Sequence, residues 1–436
     1  MIVDRIWHPY TRFSEMVEDS LPVITRAEGI YLYDEQGRRI LDAISSWWAC
    51  SLGHGNPDIV RAIQEQAGNL QHSILGNLSH SGALELAVEL DRLTGGNRRV
   101  HFASDGASAI EAALKIALQY WDNLGVAGRH TFLSLSDPYH GDTLGAVSVG
   151  YMETFHRAFR PVLFRNHVMP APDCSACGAS TRCEGCPATC FEAAENAIMK
   201  HGSELAAVVV EPLCQGAAGM RMYGAEWLKR LAVLCRESQI PLIVDEIAMG
   251  FCKTGRMFAY EHSEIRPDIV CVGKALSAGA LPISAAIVDE SIYATFHDKE
   301  RDCTFYHGHT FAGNPIAVAA ALAALRIYSG SDLAARARTM ERLHRERLAS
   351  LRDFPYVADV RILGSIAAVE FQADARDARG SPLPHAIRNA LFDRGILVRP
   401  LGSVVYLVPP LIMTDAEIES LDTALAEVVR HCAERD

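Results

Sequence analysis

Two short apolar runs each end in a side chain that could do chemistry. Ile243-Val244 leads into Asp245-Glu246, and Pro267-Asp268-Ile269-Val270-Cys271-Val272-Gly273 leads into Lys274. Runs of this kind read as buried parallel strands, with a functional group at the carboxyl end. A lysine there is costly to bury as an ammonium ion. It is cheaper as a neutral amine or as a Schiff base, and desolvation moves its pKa down. An aspartate on a neighbouring strand is the partner that a pyridinium nitrogen needs, so the pair points to pyridoxal phosphate. The same segments also read as an ordinary strand followed by a surface lysine.

Other segments could support that chemistry. Ser104-Asp105-Gly106-Ala107-Ser108 follows a strand-like run and opens a helix, where free backbone N–H groups suit a phosphate; it also reads as a plain N-cap. Asp137-Pro138-Tyr139-His140-Gly141-Asp142 offers an aromatic face beside an imidazole. His307-Gly308-His309-Thr310 is a second phosphate candidate through the Thr310 hydroxyl. Trp7 to Thr11 and Ser45 to Ala49 place aromatics in loop-like sequence, as a substrate wall or as cover for the core or a dimer surface. Arg399, after Ile396-Leu397-Val398, could grip a carboxylate or serve as a surface ion-pair residue.

Twelve cysteines divide into two groups. Seven are scattered through apolar sequence, as small buried residues of a reduced interior. Five crowd together as Cys174-x2-Cys177-x5-Cys183-x2-Cys186-x3-Cys190. Two paired knuckles suit zinc or an iron–sulfur cluster, with Cys190 as a spare; free or redox-active thiols in a surface insertion are the alternative.

These groups need a frame. Strand-like runs at Val100 to Ala103, Thr131 to Leu135, Ala206 to Val210 and Pro241 to Val244 alternate with helical periods at Ile59 to Leu70, Gly82 to Leu93 and Ala107 to Tyr120. The alternation predicts an α/β fold with a mainly parallel central sheet, ligands binding at the strands' carboxyl ends. Beyond it, Tyr356 to Phe371 and Leu397 to Val408 read as strands, with helices over Leu383 to Arg394 and Asp415 to Cys432: a smaller α+β domain. The expected division is an N-terminal segment 1–56 joining the small domain, a large domain 57–328 with the cysteine insertion at 172–191, and a C-terminal domain 329–436.

The 436 residues, 49% hydrophobic, suffice for a large core. A formal net charge of -12 gives no footprint for nucleic acid or anionic membrane. Met1 to Trp7 has no secretory pattern, and the apolar run Ala317 to Leu325 is too short to span a bilayer. A cytoplasmic protein acting on small molecules is expected.

Together the motifs resemble the class III (subgroup II) aminotransferases of fold type I, over nearly the whole chain from Trp7 to Pro410. The general motifs are Asp245-Glu246, Gly273-Lys274-Ala275-Leu276, Glu211-Pro212 and Thr310 to Pro315. The narrower ones are Trp7 to Thr11, Ser45 to Ala49, Ala117 to Trp121, Tyr139 to Thr143, Gly219 to Tyr223 and Val398 to Gly402. The resemblance implies Lys274 as the cofactor lysine and proton shuttle, Asp245 at the ring nitrogen and Tyr139 against the ring. It implies Gly106, Ala107, Ser108 and His140 around the cofactor, with His309 and Thr310 arriving from the second subunit of a homodimer. Tyr10, Trp47, Tyr139, Gly308 and Arg399 would line the substrate site. Ala107 stands where the family carries a hydroxyl, which shifts the phosphate towards backbone amides. Met249, Cys252 and Lys253 depart where threonine, glycine and arginine are usual, which leaves the amino donor open between S-adenosylmethionine and lysine. The other readings are an ω-aminotransferase for a different amine, or a metal-binding redox or interaction protein with a vestigial cofactor site.

Overall fold

The computed structural model describes residues 5–11, 21–172, 188–298, 300–377 and 380–433. Its centre is a seven-stranded sheet: β1 (Arg98–Ala103), β2 (Thr131–Leu135), β3 (His167–Met169), β4 (Leu205–Val210), β5 (Leu242–Asp245), β6 (Ile269–Val272) and β7 (Ser284–Asp289). The strand order is β3-β2-β4-β5-β6-β7-β1. Neighbours from β3 through β6 are parallel, while β7 runs antiparallel to both β6 and β1. β2, β4, β5 and β6 are buried at every residue, as strands covered on both faces must be.

The α/β expectation with a mainly parallel sheet therefore holds. Helix α1 (Gly106–Asn123) packs across β1, β4, β6 and β7; its alanines at 109, 112, 113 and 117 are buried and let it approach closely. Helix α2 (Pro315–Gly330) lies against the turn after β6, where Tyr328 donates its hydroxyl to the Ala275 carbonyl at 3.0 Å. At the far ends of the strands the buried Arg98 guanidinium donates to the carbonyls of Thr94, Pro267 and Asp268. The Asp268 carboxylate there accepts the Leu242 amide at 2.7 Å, which sets β5 against β6.

The smaller sheets depart from the sequence reading in one respect. Tyr356 to Phe371 is a hairpin of Val357–Leu363 and Ile366–Phe371, and Val404–Leu407 adds to its second strand. The expected strand over Leu397 to Val408 is two strands in different sheets. Ile396–Leu397 pairs in parallel with Arg39–Asp42, at the edge of an N-terminal sheet with Tyr31–Asp34 and Ile24–Glu28. The break falls at Pro400 and Gly402, the latter with φ +57°, where a ladder cannot continue.

The helices Leu333–Leu348 and Asp415–Ala433 are joined by a wholly buried pair, His344 Nδ1 lying 2.9 Å from both carboxylate oxygens of Asp422. Removing one partner of such a pair costs about 3 kcal/mol, since the other is left buried alone. The Arg347–Glu419 pair between the same helices is part-exposed and worth less than about 1 kcal/mol. In urea unfolding, Asp422→Ala should lose several-fold more stability than Glu419→Ala.

Candidate active site

Asp245 is the last residue of β5, and Lys274 lies two residues beyond β6. Because these strands are parallel neighbours, both side chains leave the same edge of the sheet. Lys274 opens a short 3₁₀ turn with φ +42°, a left-handed backbone that costs a non-glycine residue energy and marks a constrained site. Burial depresses its amine pKa, partly offset by the carboxylates of Asp245, Glu211 and Asp142.

Asp245 is kept as an acceptor by two donors. The Ile247 amide reaches Oδ1 at 3.0 Å, and His140 Nδ1 lies 2.8 Å from Oδ2. Burial alone would lower the His140 pKa, but the Asp245 hydrogen bond and charge raise it. His140 Nε2 is buried without a partner. Glu211, also buried, accepts the Tyr139 amide at 3.1 Å and the Gly216 amide at 3.0 Å, and so fixes the loop that carries Tyr139. Burial pushes its carboxyl up to about 7.

Lys274, Asp245, Tyr139, His140, Gly106 and Ala107 all line one cavity of about 480 Å³, with Trp48, Asp142 and Glu211. A cavity of about 320 Å³ adjoins it through Trp48, Tyr139 and Lys274, and is lined by Tyr10, Trp47, Phe155 and Arg399. The Arg399 guanidinium stands 4.4 Å over the Trp47 ring and 5.9 Å from that of Tyr10. Tyr139 donates to Asp142 at 2.9 Å, and Tyr10 bonds the same carboxylate.

The turn that presents Trp47 and Trp48 is unusual. Ser45, Ser46, Trp47 and Trp48 have φ of +48°, +44°, +73° and +70°. Each L-residue in that region costs about 1–2 kcal/mol, so a run of four persists only against strong anchors.

Three predicted residues lie elsewhere in a single chain. Gly308, His309 and Thr310 line a separate cavity of about 960 Å³. Ser108 does not line the Lys274 cavity; its hydroxyl donates to Asp105 Oδ2 at 2.9 Å and its amide to Oδ1 at 3.0 Å. Asp105 thus caps α1, and both polar groups of Ser108 are taken up by that cap. Met249, Cys252 and Lys253 are buried and line neither cavity by Lys274. Burial draws the Lys253 amine down to about 7, and it donates to the Gly250 carbonyl at 2.9 Å. Sequence reasoning assigned no role to Glu211 or Asp142, although each sat in a quoted motif, and read Trp48 only as one of the aromatics of a substrate wall.

Cys174, Cys177, Cys183 and Cys186 lie outside the described residues. Cys190 is half-buried on the helix Ala188–His201, its carbonyl accepting Trp227 Nε1 at 3.1 Å. Among the described residues one cluster has ligand-type atoms close together: His167, His201 and Glu204. Its imidazoles stack with centroids 3.8 Å apart. Two imidazoles sharing an ion through in-plane lone pairs need roughly 5 Å, given metal–nitrogen bonds near 2 Å.

The residues fit pyridoxal phosphate. The amides of Gly106 and Ala107 open an 18-residue helix, ahead of the capped Ser108 amide, and suit a phosphate. The space beside them is kept by glycine: a Cβ on Gly106 would meet Ile247 at 3.0 Å, and one on Gly141 would overlap Ala107 at 2.4 Å. A buried carboxylate with a lone pair to spare and a half-buried amine line the same cavity, as ring nitrogen and carbonyl require.

This strand order, with a lysine and an aspartate at adjacent strand ends, defines a cofactor-dependent transferase. Residues 13–429 match the family "aminotransferase class-III". The chain belongs to that family, which implies pyridoxal phosphate as cofactor. Among its relatives is an adenosylmethionine-8-amino-7-oxononanoate aminotransferase of Nitratidesulfovibrio vulgaris, 41% identical over 95% of this chain and 78% of that protein. The same enzyme of Geobacter sulfurreducens is 37% identical over 97% of this chain and 95% of that one. The crystal structure of the Methanocaldococcus jannaschii enzyme superposes with a TM-score of 0.91 at 34% identity, covering 98% and 97% of the two chains.

Glu211 makes stability depend on pH. Its folded value of about 7 stands above the ordinary 4.5, so the folded protein keeps a proton that the unfolded chain releases. Stability should fall as pH rises from about 4.5 to 7, and no further on this account above it. Calorimetry of Glu211→Gln should show that slope flattened. It should also show a lower Tm at all pH values, because a glutamine has one acceptor oxygen for two backbone N–H groups.

Proposed function

We propose that this aminotransferase transfers an amino group from S-adenosylmethionine to 8-amino-7-oxononanoate, giving 7,8-diaminononanoate in biotin biosynthesis. The observation that carries the reading is Arg399, stacked on Trp47 in an apolar cavity that opens onto Lys274. A guanidinium so placed suits a carboxylate at the far end of an aliphatic oxo acid. The names of the relatives support it. The proposal includes a cytoplasmic homodimer in which the partner subunit's His309 and the partner subunit's Thr310 reach the phosphate, since within one chain both lie in a different cavity.

Pyridoxal phosphate, when bound, supplies a carbonyl that joins amines and a ring that takes up electron density. Lys274 then acts as base and acid. Burial lowers its pKa, so a neutral amine is available to take a proton from the substrate carbon and hand it on to the cofactor's side of the new carbon–nitrogen bond. Asp245 would pair with the ring nitrogen of the bound cofactor, while His140 fixes the orientation of that carboxylate. Tyr139 and Trp48 close the space around the amine and exclude water. Alternate binding of two substrates in one site makes the reaction ping-pong.

Mass detection of the diamine product, with S-adenosylmethionine or lysine offered as donor, tests the reading. Formation with S-adenosylmethionine is expected, and no product with that donor would overturn it. Lys274→Ala should retain the cofactor through dialysis, read by its absorbance, yet lose about a thousandfold or more in turnover. Arg399→Ala should cost about 2–4 kcal/mol in the half-reaction with the oxo acid and much less with the donor. Equal losses in both would assign Arg399 a structural role.

A further inference from the structure

The left-handed turn Ser45–Trp48 stands in the substrate wall, and its anchors converge on one buried group outside the cavities. Asp42 has no exposed surface. Its Oδ2 accepts the Ser46 hydroxyl at 2.7 Å and lies 2.9 Å from His54 Nε2, while Oδ1 accepts the Ile44 amide at 3.3 Å. A separate bond runs from the Ser45 hydroxyl to the Val408 carbonyl at 2.7 Å. Ser46 is thus tied by its side chain to Asp42, and Asp42 to a histidine whose own backbone is paired with Gly29 in both directions. Beyond this knot stand the two indoles: Trp47 under the Arg399 guanidinium at 4.4 Å, and Trp48 under the Lys274 amine at 5.3 Å.

We propose that Asp42 is a positioning residue for the substrate: its carboxylate, braced by His54, holds Ser46 and thereby keeps the turn left-handed, with Trp47 against Arg399 and Trp48 against Lys274. The physical reason is the direction of the Cα–Cβ bonds. A backbone that relaxes from positive to negative φ redirects each side chain, so both indoles would swing off the cavity wall. No glycine or asparagine in Ser45–Trp48 favours the left-handed region by itself, so the side-chain anchors must do so. Asp42 lines neither cavity by Lys274 and acts through the turn. Supporting this, burial opposes charge on both partners, yet the His54 hydrogen bond keeps Asp42 below the ordinary carboxylate range, and Asp42, with Cys50, lifts His54 to about 9.

The substrate arm of this inference rests on the proposed oxo-acid reading; the conformational arm does not. The experiment uses holoenzyme of Asp42→Asn and Ser46→Ala, with Asp34→Asn as a control, since Asp34 is a buried aspartate that bonds the Gln36 and Arg38 amides and the Arg38 guanidinium, away from Ser45–Trp48. An asparagine at 42 offers one acceptor oxygen and brings an N–H₂ towards Ser46 and His54. Near-ultraviolet circular dichroism reads the tryptophan environment, and steady-state kinetics separate KM from kcat. Asp42→Asn should change the tryptophan signal, raise the oxo-acid KM about tenfold or more through Trp47, and lower kcat by a smaller factor through Trp48, with cofactor affinity unchanged. Ser46→Ala should move the same way by less, and Asp34→Asn should move neither. An unchanged tryptophan signal in both variants, or equal changes in KM, kcat and cofactor affinity, would overturn the proposal. Should Asp42→Asn not fold, Ser46→Ala decides on the same criteria. A wild type that does not turn over the oxo acid defeats the substrate reading, while the tryptophan signal still decides the role of Asp42.

Discussion

A carboxylate buried at the end of one strand, sharing a cavity with a half-buried amine just beyond the next, is the constraint that the rest of the molecule serves. Neither group is comfortable out of water. His140 and the Ile247 amide donate to Asp245, and Lys274 is pressed towards the neutral amine. That arrangement requires a rigid setting. The fully covered strands on either side supply it, and the Arg98 and Asp268 braces at the opposite edge keep β5 and β6 in register.

The surrounding polar groups follow the same logic. Glu211 is spent on two backbone amides, which locates Tyr139 without bringing another full charge beside Asp245. Asp142 gathers both tyrosine hydroxyls at the join between the two cavities. The larger cavity is mixed in character; the smaller is mainly aromatic, with one guanidinium laid over an indole. That division suits chemistry at one end of a substrate and recognition at the other.

What the sequence disclosed tracks how local the signal was. Lys274 and Asp245 were legible because a short apolar run closed by a charge marks a buried strand end within a few residues. The helices Pro57–Asn69, Ser81–Leu93 and Gly106–Asn123 were legible because their periods and caps are local. The fate of Leu397 to Val408 was not, since which sheet a short strand joins is decided by partners far away in the chain. Ser108 was placed around the cofactor by the family resemblance and by the free amides of a helix start, but its amide and hydroxyl are both taken by Asp105. The left-handed turn was invisible for the opposite reason: serine and tryptophan carry none of the marks that glycine or asparagine would.

The pairing of Ile396–Leu397 with Arg39–Asp42 has a consequence in time as well as space. On a ribosome the amino end emerges first, yet its last sheet strand finds this neighbour only when nearly all of the chain is out. Arg399 arrives with that neighbour, two residues further on. The central sheet, with Lys274 and Asp245, is complete in sequence well before then. The residues of the chemical centre are therefore synthesised before Arg399, and the wall that selects a substrate can close only once both ends of the chain are in place.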